Sequence, residues 1–157
     1  MKSKISFANE KDLIYGFKWE GSSLPKYGFC KVYKNGVVDF GEGWMIDVDK
    51  YTNGRTSISE EAVAEIQQLI HDNPEILSFK ELESDGQFVV TDAETSTFYF
   101  SDGQKNNTLS VYALWNWEES EYLSNYLSNY PKLALLVKMH KIIREILVGF
   151  GLGEEYC

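Results

Sequence analysis

The sequence predicts an α+β domain: an antiparallel sheet built from hairpins, with one mid-chain helix and two C-terminal helices packed on one face. Three observations predict it. Strand-like runs occupy residues 12–40 and 88–114, turn dipeptides such as Asn35-Gly36 separate them, and helical spacing is confined to 57–73 and 118–148. Strand runs and helix runs are thus segregated rather than alternating, which favours α+β over α/β. At 157 residues the chain fits a single domain spanning 1–157, since two independent cores would each be small. Ten Tyr, nine Phe and four Trp supply the buried area for that core.

The first predicted strand covers 12–19, with Tyr15, Phe17 and Trp19 on an aromatic face. The next two, 29–34 and 37–40, flank Asn35-Gly36, the pair that best tolerates the two positive φ values of a type I′ turn. Alternation puts Phe29, Lys31 and Tyr33 on one face and Cys30, Val32 and Lys34 on the other, so both faces carry apolar groups. Residues 41–56 are rich in glycine and acid and read as a loop with one short strand. Ser57 and Glu60 then fit a capping box, with Glu60 and Glu61 near the positive end of the helix dipole. Val63, Ile66, Leu69 and Ile70 make one apolar stripe, and Asn73-Pro74 ends the helix.

After a turn at Asp85-Gly86, residues 88–91 read as a strand. Residues 95–101 and 108–114 form a second hairpin. Phe98 and Phe100 share one face of it and Thr97, Tyr99 and Ser101 the other, as expected for a sheet packed on a single side. Residues 118–129 contain Tyr-Leu-Ser-Asn twice, which stacks Tyr122, Tyr126 and Tyr130 along one helical side. Pro131 suits the first turn of a final helix whose stripe includes Leu133, Leu136, Val137, Ile143 and Leu147. Gly149 and Gly151 can cap its end.

Charge is unevenly distributed. Residues 1–38 carry +4, residues 39–121 carry −14 and the whole chain −9. A strongly negative middle repels a phosphate backbone, so nucleic acid is not an expected partner. Glu42 also spoils Gly41-Glu42-Gly43-Trp44 as a phosphate cradle. No apolar stretch reaches the ~18 residues that span a bilayer, and the basic N-terminus lacks the apolar run of a signal peptide. A soluble, cytoplasmic protein without membrane association is expected. Cys30, in a strand, and Cys157, the last residue, are expected to be free thiols.

Catalytic patterns are sparse. Neither a Gly-x-Ser-x-Gly elbow nor a His-Glu-x-x-His pair occurs. His71 closes the first helix, where the dipole favours it, and His140 lies among basic residues on an expected solvated face. No cofactor is predicted. Residues 49–60 match part of a calcium-loop register, with Asp49, Asn53, Ser57 and Glu60 as oxygen donors and Gly54 at the turn. Tyr51 stands where a carboxylate or amide is wanted, and a turn at Asn53-Gly54 leading into a capped helix explains the same residues.

Three functional readings follow. The leading one is a non-enzymatic acidic domain that binds another, basic protein through Trp44, Asp47, Asp49, Glu60, Glu61, Glu65 and Trp117. Aromatics dominate interface hot spots, and an acidic rim steers a basic partner. In composition the chain resembles the small acidic immunity and inhibitor proteins of bacteria, which neutralise basic toxins. The second reading is a small-ligand binder or enzyme with a pocket between the sheet and the C-terminal helices, lined by Tyr99, Tyr112 and Tyr122. The third is a calcium-binding module at Asp49, Asn53, Ser57 and Glu60. The first depends on the basic ends not folding back to neutralise the acidic middle.

Overall fold

Aromatic and β-branched residues at alternate positions draw residues 13–57 into four successive strands: β1 (Leu13–Glu20), β2 (Lys26–Tyr33), β3 (Val37–Trp44) and β4 (Asp47–Ser57). In the computed structural model, which describes residues 5–21, 25–44, 47–82, 93–113 and 129–157 and their side chains apart from those of 47–52, these form an antiparallel meander. A second hairpin, β5 (Thr95–Ser101) and β6 (Asn106–Tyr112), adds on the far side of β1. The sheet order is β4-β3-β2-β1-β5-β6.

Helix α1 (Glu60–Asp72), with a 3-10 turn at Pro74–Leu77, carries the chain from the β4 edge to the β6 edge across one end of the sheet. Ile58 N–H donates to Gly36 O (2.9 Å) where this path passes the β2–β3 turn, and Asn107 Nδ2 donates to Ile76 O and Phe79 O where it reaches β6. Helix α2 (Pro131–Gly149) buries Leu133, Leu136, Val137, Met139, Ile143 and Leu147 in the same core. A 3-10 turn at Glu154–Tyr156 then tucks the C-terminus against β2 and β3.

The sheet-and-helix class is as expected, with several corrections. Among the described residues there are two α-helices, one mid-chain and one C-terminal, rather than three. The extra C-terminal helix over 118–129 and the strand over 88–91 lie outside the described residues. The loop expected over 41–56 is instead the end of β3 and nearly all of β4. Its glycines face aromatic rings across the ladder: Gly41 pairs with Phe29, Gly43 with Tyr27 and Gly54 with Phe40. Any Cβ on Gly54 would run into the Phe40 ring, so here glycine marks close packing within a strand rather than a loop.

The β2–β3 connection is three residues, Lys34 to Gly36, rather than a two-residue type I′ turn. Gly36 alone of these is left-handed (φ 88°), and its N–H donates to Tyr33 O at 2.9 Å. That is the three-residue hairpin pattern ending in a left-handed glycine. The helix cap moves as well. Ser57 stays in β4, paired with Val37, and Ser59 is the N-cap, its hydroxyl accepting from Ala62 N–H at 3.1 Å.

His140 is buried (1% exposed) rather than solvated. Tyr15 Oη and His140 Nδ1 are 3.2 Å apart, and the imidazole packs 4.9 Å from the Phe17 ring and 5.0 Å from Phe98. The physical reason is helical spacing: His140 lies four residues after Leu136 and three before Ile143, so it shares their inward stripe despite lysines at 138 and 141.

The sheet is also not packed on one side alone. Residues 5–12 cross the face opposite the helices, where the Phe7 ring packs over Gly16 and lies 6.0 Å from Tyr99. Lys18 Nζ donates to Ile5 O at 3.0 Å on that face. Tyr27, Phe29 and Tyr99 are consequently buried there. Among the described residues no helix is long and apolar enough to cross a membrane.

Cys30 and Cys157 are both free and buried. Burial pushes the Cys30 thiol well up, with Cys157 nearby adding to it, and pushes Cys157 up to about 12. Burial and the Glu10 carboxylate raise Tyr33 to about 12. In the unfolded chain these groups ionise from about pH 8.5 for Cys and 10 for Tyr. Between those values and the folded ones the unfolded state holds fewer protons, so stability falls as pH rises. The Tm is therefore expected to begin declining near pH 9, and Cys157→Ala to flatten the first part of that decline. An unaltered slope in the variant would remove Cys157 as a contributor.

Candidate functional site

Packing α1 by Ala62, Val63, Ile66 and Ile70 turns its other side outward. That side carries Glu60, Glu61, Glu65 and Asp72, and Glu75 continues the row from the 3-10 turn; all five are exposed. No Lys or Arg occurs between residues 56 and 79. Among the described residues none of these carboxylates is in an ion pair. Two lysines of the basic N-terminal part are instead committed locally, Lys18 to Glu20 (3.0 Å) and Lys31 to Glu10 (2.9 Å), while Arg55 takes Asp39 at 2.6 Å.

The structure separates residues that the sequence analysis grouped together. Trp44, 42% exposed with Lys26 Nζ 4.6 Å from its ring centre, pairs with Asp47 at the β3–β4 tip. Ser57, where the chain leaves for α1, is ten residues further along β4, or ~33 Å at strand rise. Asp49 belongs to the tip half of the same strand. Glu60, Glu61 and Glu65 therefore sit at the opposite end from Trp44, Asp47 and Asp49. Trp117 lies outside the described residues.

The calcium-loop residues fare similarly. Asp49, Asn53 and Ser57 are strung along β4 over ~26 Å, and only Ser57 approaches Glu60. A loop wrapped around one ion needs its donors convergent, and an extended strand disperses them. Among the described residues no group of three or more His, Cys, Asp or Glu could hold a metal ion.

Tyr99 and Tyr112 do not line a space between sheet and helices. Phe98 and Phe100 take the helix face of β5, so Tyr99 between them points to the other side. Tyr112 shares that side, 47% exposed, its hydroxyl accepting from Ala93 N–H at 3.1 Å. Tyr122 lies outside the described residues.

Tyr99 instead lines a groove of about 710 Å³ that runs beside α1. Its walls are Gln67 and His71 of α1, the segment 10–14, Lys34, and the β5–β6 turn at 101–103. Sequence reasoning missed it because those four pieces are separated by up to 90 residues and meet only in three dimensions. Asn9 and Asp12, on the segment that forms one wall, have φ of 63° and 64°. Asn and Asp are the non-glycine residues that best tolerate this, which was the one local hint of a sharply folded arch.

The acids of the groove are largely occupied. Both Glu10 oxygens are bonded, to Lys31 Nζ at 2.9 Å and Tyr33 Oη at 3.1 Å, and the Lys31 ammonium above all holds this carboxyl below its usual range. Asp102 Oδ1 accepts from Lys105 N–H (2.7 Å) and Gln104 N–H (2.8 Å), which holds its carboxyl down as well. By contrast Lys11 and Lys34 have no ion-pair partner among the described residues.

No family model matches this chain, and no curated protein matches it either.

Proposed function

We propose that this protein is a non-enzymatic binding domain for a basic protein, of the immunity or inhibitor kind, and that the outward face of α1 is its contact surface. The observation that carries the reading is the row Glu60, Glu61, Glu65, Asp72 and Glu75, exposed and, among the described residues, in no ion pair. A single-sign helix face raises the encounter rate with an oppositely charged partner and repels acidic ones. A standard interface covers about 800 Å² per partner. The α1 face would form the centre of such a contact, and Trp44, at the far end of the sheet, is left out of it.

The test is a pull-down from source-cell lysate with the wild-type protein and with the Glu60→Gln/Glu61→Gln/Glu65→Gln/Asp72→Asn variant, at low and moderate salt. A basic protein held by the wild type, released by salt and lost to the variant is the expected result, because exposed charges are screened within ~10 Å at 0.1 M. The same protein retained equally by both forms would place its contact elsewhere. All four positions are exposed, so the variant is expected to melt within a few degrees of the wild type.

A further inference from the structure

The groove beside α1 holds a group that the fold itself leaves unanswered. Tyr99 is 7% exposed and lines the groove, yet among the described residues its hydroxyl has no hydrogen-bond partner. A buried hydroxyl with no protein partner must be satisfied from the groove, by water or by a bound molecule that replaces it. The volume of about 710 Å³ is within the range of small-molecule sites.

The uncommitted hydrogen-bond donors of the groove narrow the chemistry of what would bind. Glu10 is occupied by Lys31 and Tyr33, and Asp102 by the backbone of its own turn. Lys11 and Lys34 line the same groove without ion-pair partners among the described residues, beside His71. Asp12 is the one lining acid with no such commitment among them. The uncommitted donors are thus two ammonium groups, an imidazole and a phenol; of the three lining carboxylates Glu10 is balanced by Lys31, while Asp12 and Asp102 keep their charge.

We propose that this groove is a binding site for a small anionic molecule, one bearing a carboxylate or phosphate. Lys11 and Lys34 pair with its charge, and the Tyr99 hydroxyl donates a hydrogen bond to it. The proposal stands apart from protein docking on the outer face of α1, and either can fail without the other.

The probes are inorganic phosphate and citrate, each titrated into the full chain by calorimetry and thermal melting against sodium chloride of equal ionic strength. At about ten times the dissociation constant, a ligand bound only to the folded state raises the Tm by about 3 °C or more. The phosphate and citrate arms separate the two sources of anionic charge; saturable binding of at least one is expected. Lys11→Gln/Lys34→Gln is expected to abolish that binding, and Tyr99→Phe to weaken it about tenfold or more, the loss of a hydrogen bond to a charged group.

Tyr99→Phe also gives a reading without any ligand. Removing an unpartnered hydroxyl leaves the Tm unchanged or raises it, whereas removing one with a structural partner lowers it. Absence of saturable binding by both probes, binding that survives either variant, or a clear fall in Tm of the unliganded Tyr99→Phe protein would each overturn the proposal.

Discussion

Phe98→Ala is expected to cost about 3–5 kcal/mol, the range for deleting a fully buried aromatic ring. Phe98 is 0% exposed at the junction of three elements. Its ring centre is 5.1 Å from Phe17 on β1, 5.0 Å from His140 on α2 and 6.5 Å from Phe100 along its own strand. Truncation removes the surface that β1 and α2 share and leaves the imidazole of His140 facing a cavity. At ~2–4 °C per kcal/mol for a chain of this size, the Tm is expected to fall by about 10 °C. Phe98→Leu, which keeps most of the volume, is expected to cost far less. Denaturant unfolding measures both. A loss below about 1 kcal/mol for the alanine variant would mean that the site collapses around the missing ring and that the core is organised elsewhere.

Gly28→Ala is expected to destabilise by about 2–4 kcal/mol, combining overpacking with a lost hydrogen bond. The sign is informative, because in an ordinary strand position this substitution is mildly favourable. Here Gly28 lies opposite Trp19 on β1, whose indole covers it, and Trp19 Nε1 donates to Glu155 O at 2.8 Å. An added Cβ would meet the indole at 2.7 Å from Cε2 and that same carbonyl oxygen at 2.8 Å. The indole can swing away only by releasing the C-terminal turn. Cys157, which is 3% exposed, is released with it. The readout beyond stability is therefore thiol titration under native conditions, with Cys157 protected in the wild type and reactive in the variant. A variant as stable as the wild type with both thiols protected would show that Trp19 does not anchor the C-terminus.

Much of the sheet was legible in the sequence because its information is local. Alternation of Tyr15, Phe17 and Trp19 marked β1, and alternation of Phe98 and Phe100 against Thr97 and Tyr99 marked β5 with its faces correctly assigned. Asn73-Pro74 ended α1 as expected, through the backbone restriction that proline imposes on its predecessor. β4 was not legible. Gly41, Gly43 and Gly54 read as loop residues because the aromatic residues they pair with, Phe29, Tyr27 and Phe40, come from the neighbouring strand, and at Gly54 the Phe40 ring fills the space a side chain would take. Losing β4 also misplaced the candidate site, since a loop would have let Trp44 sit beside Glu60, whereas a strand holds them apart.

The sequence by itself determined the α+β class, the alternation that decides which side chains of β1, β2 and β5 share a face, and the concentration of acid in residues 39–121. These depend on residue order over a few positions, where backbone geometry alone sets the period. Only the tertiary structure decided that the acids of α1 stay exposed and, among the described residues, outside any ion pair. It also decided that His140 is enclosed by Phe17 and Phe98, and that Tyr99, Lys11 and Lys34 line one groove. Each of these depends on which distant segment arrives as a neighbour. That is settled by how the elements bury their apolar faces together, a property of the whole chain that no short window of it contains.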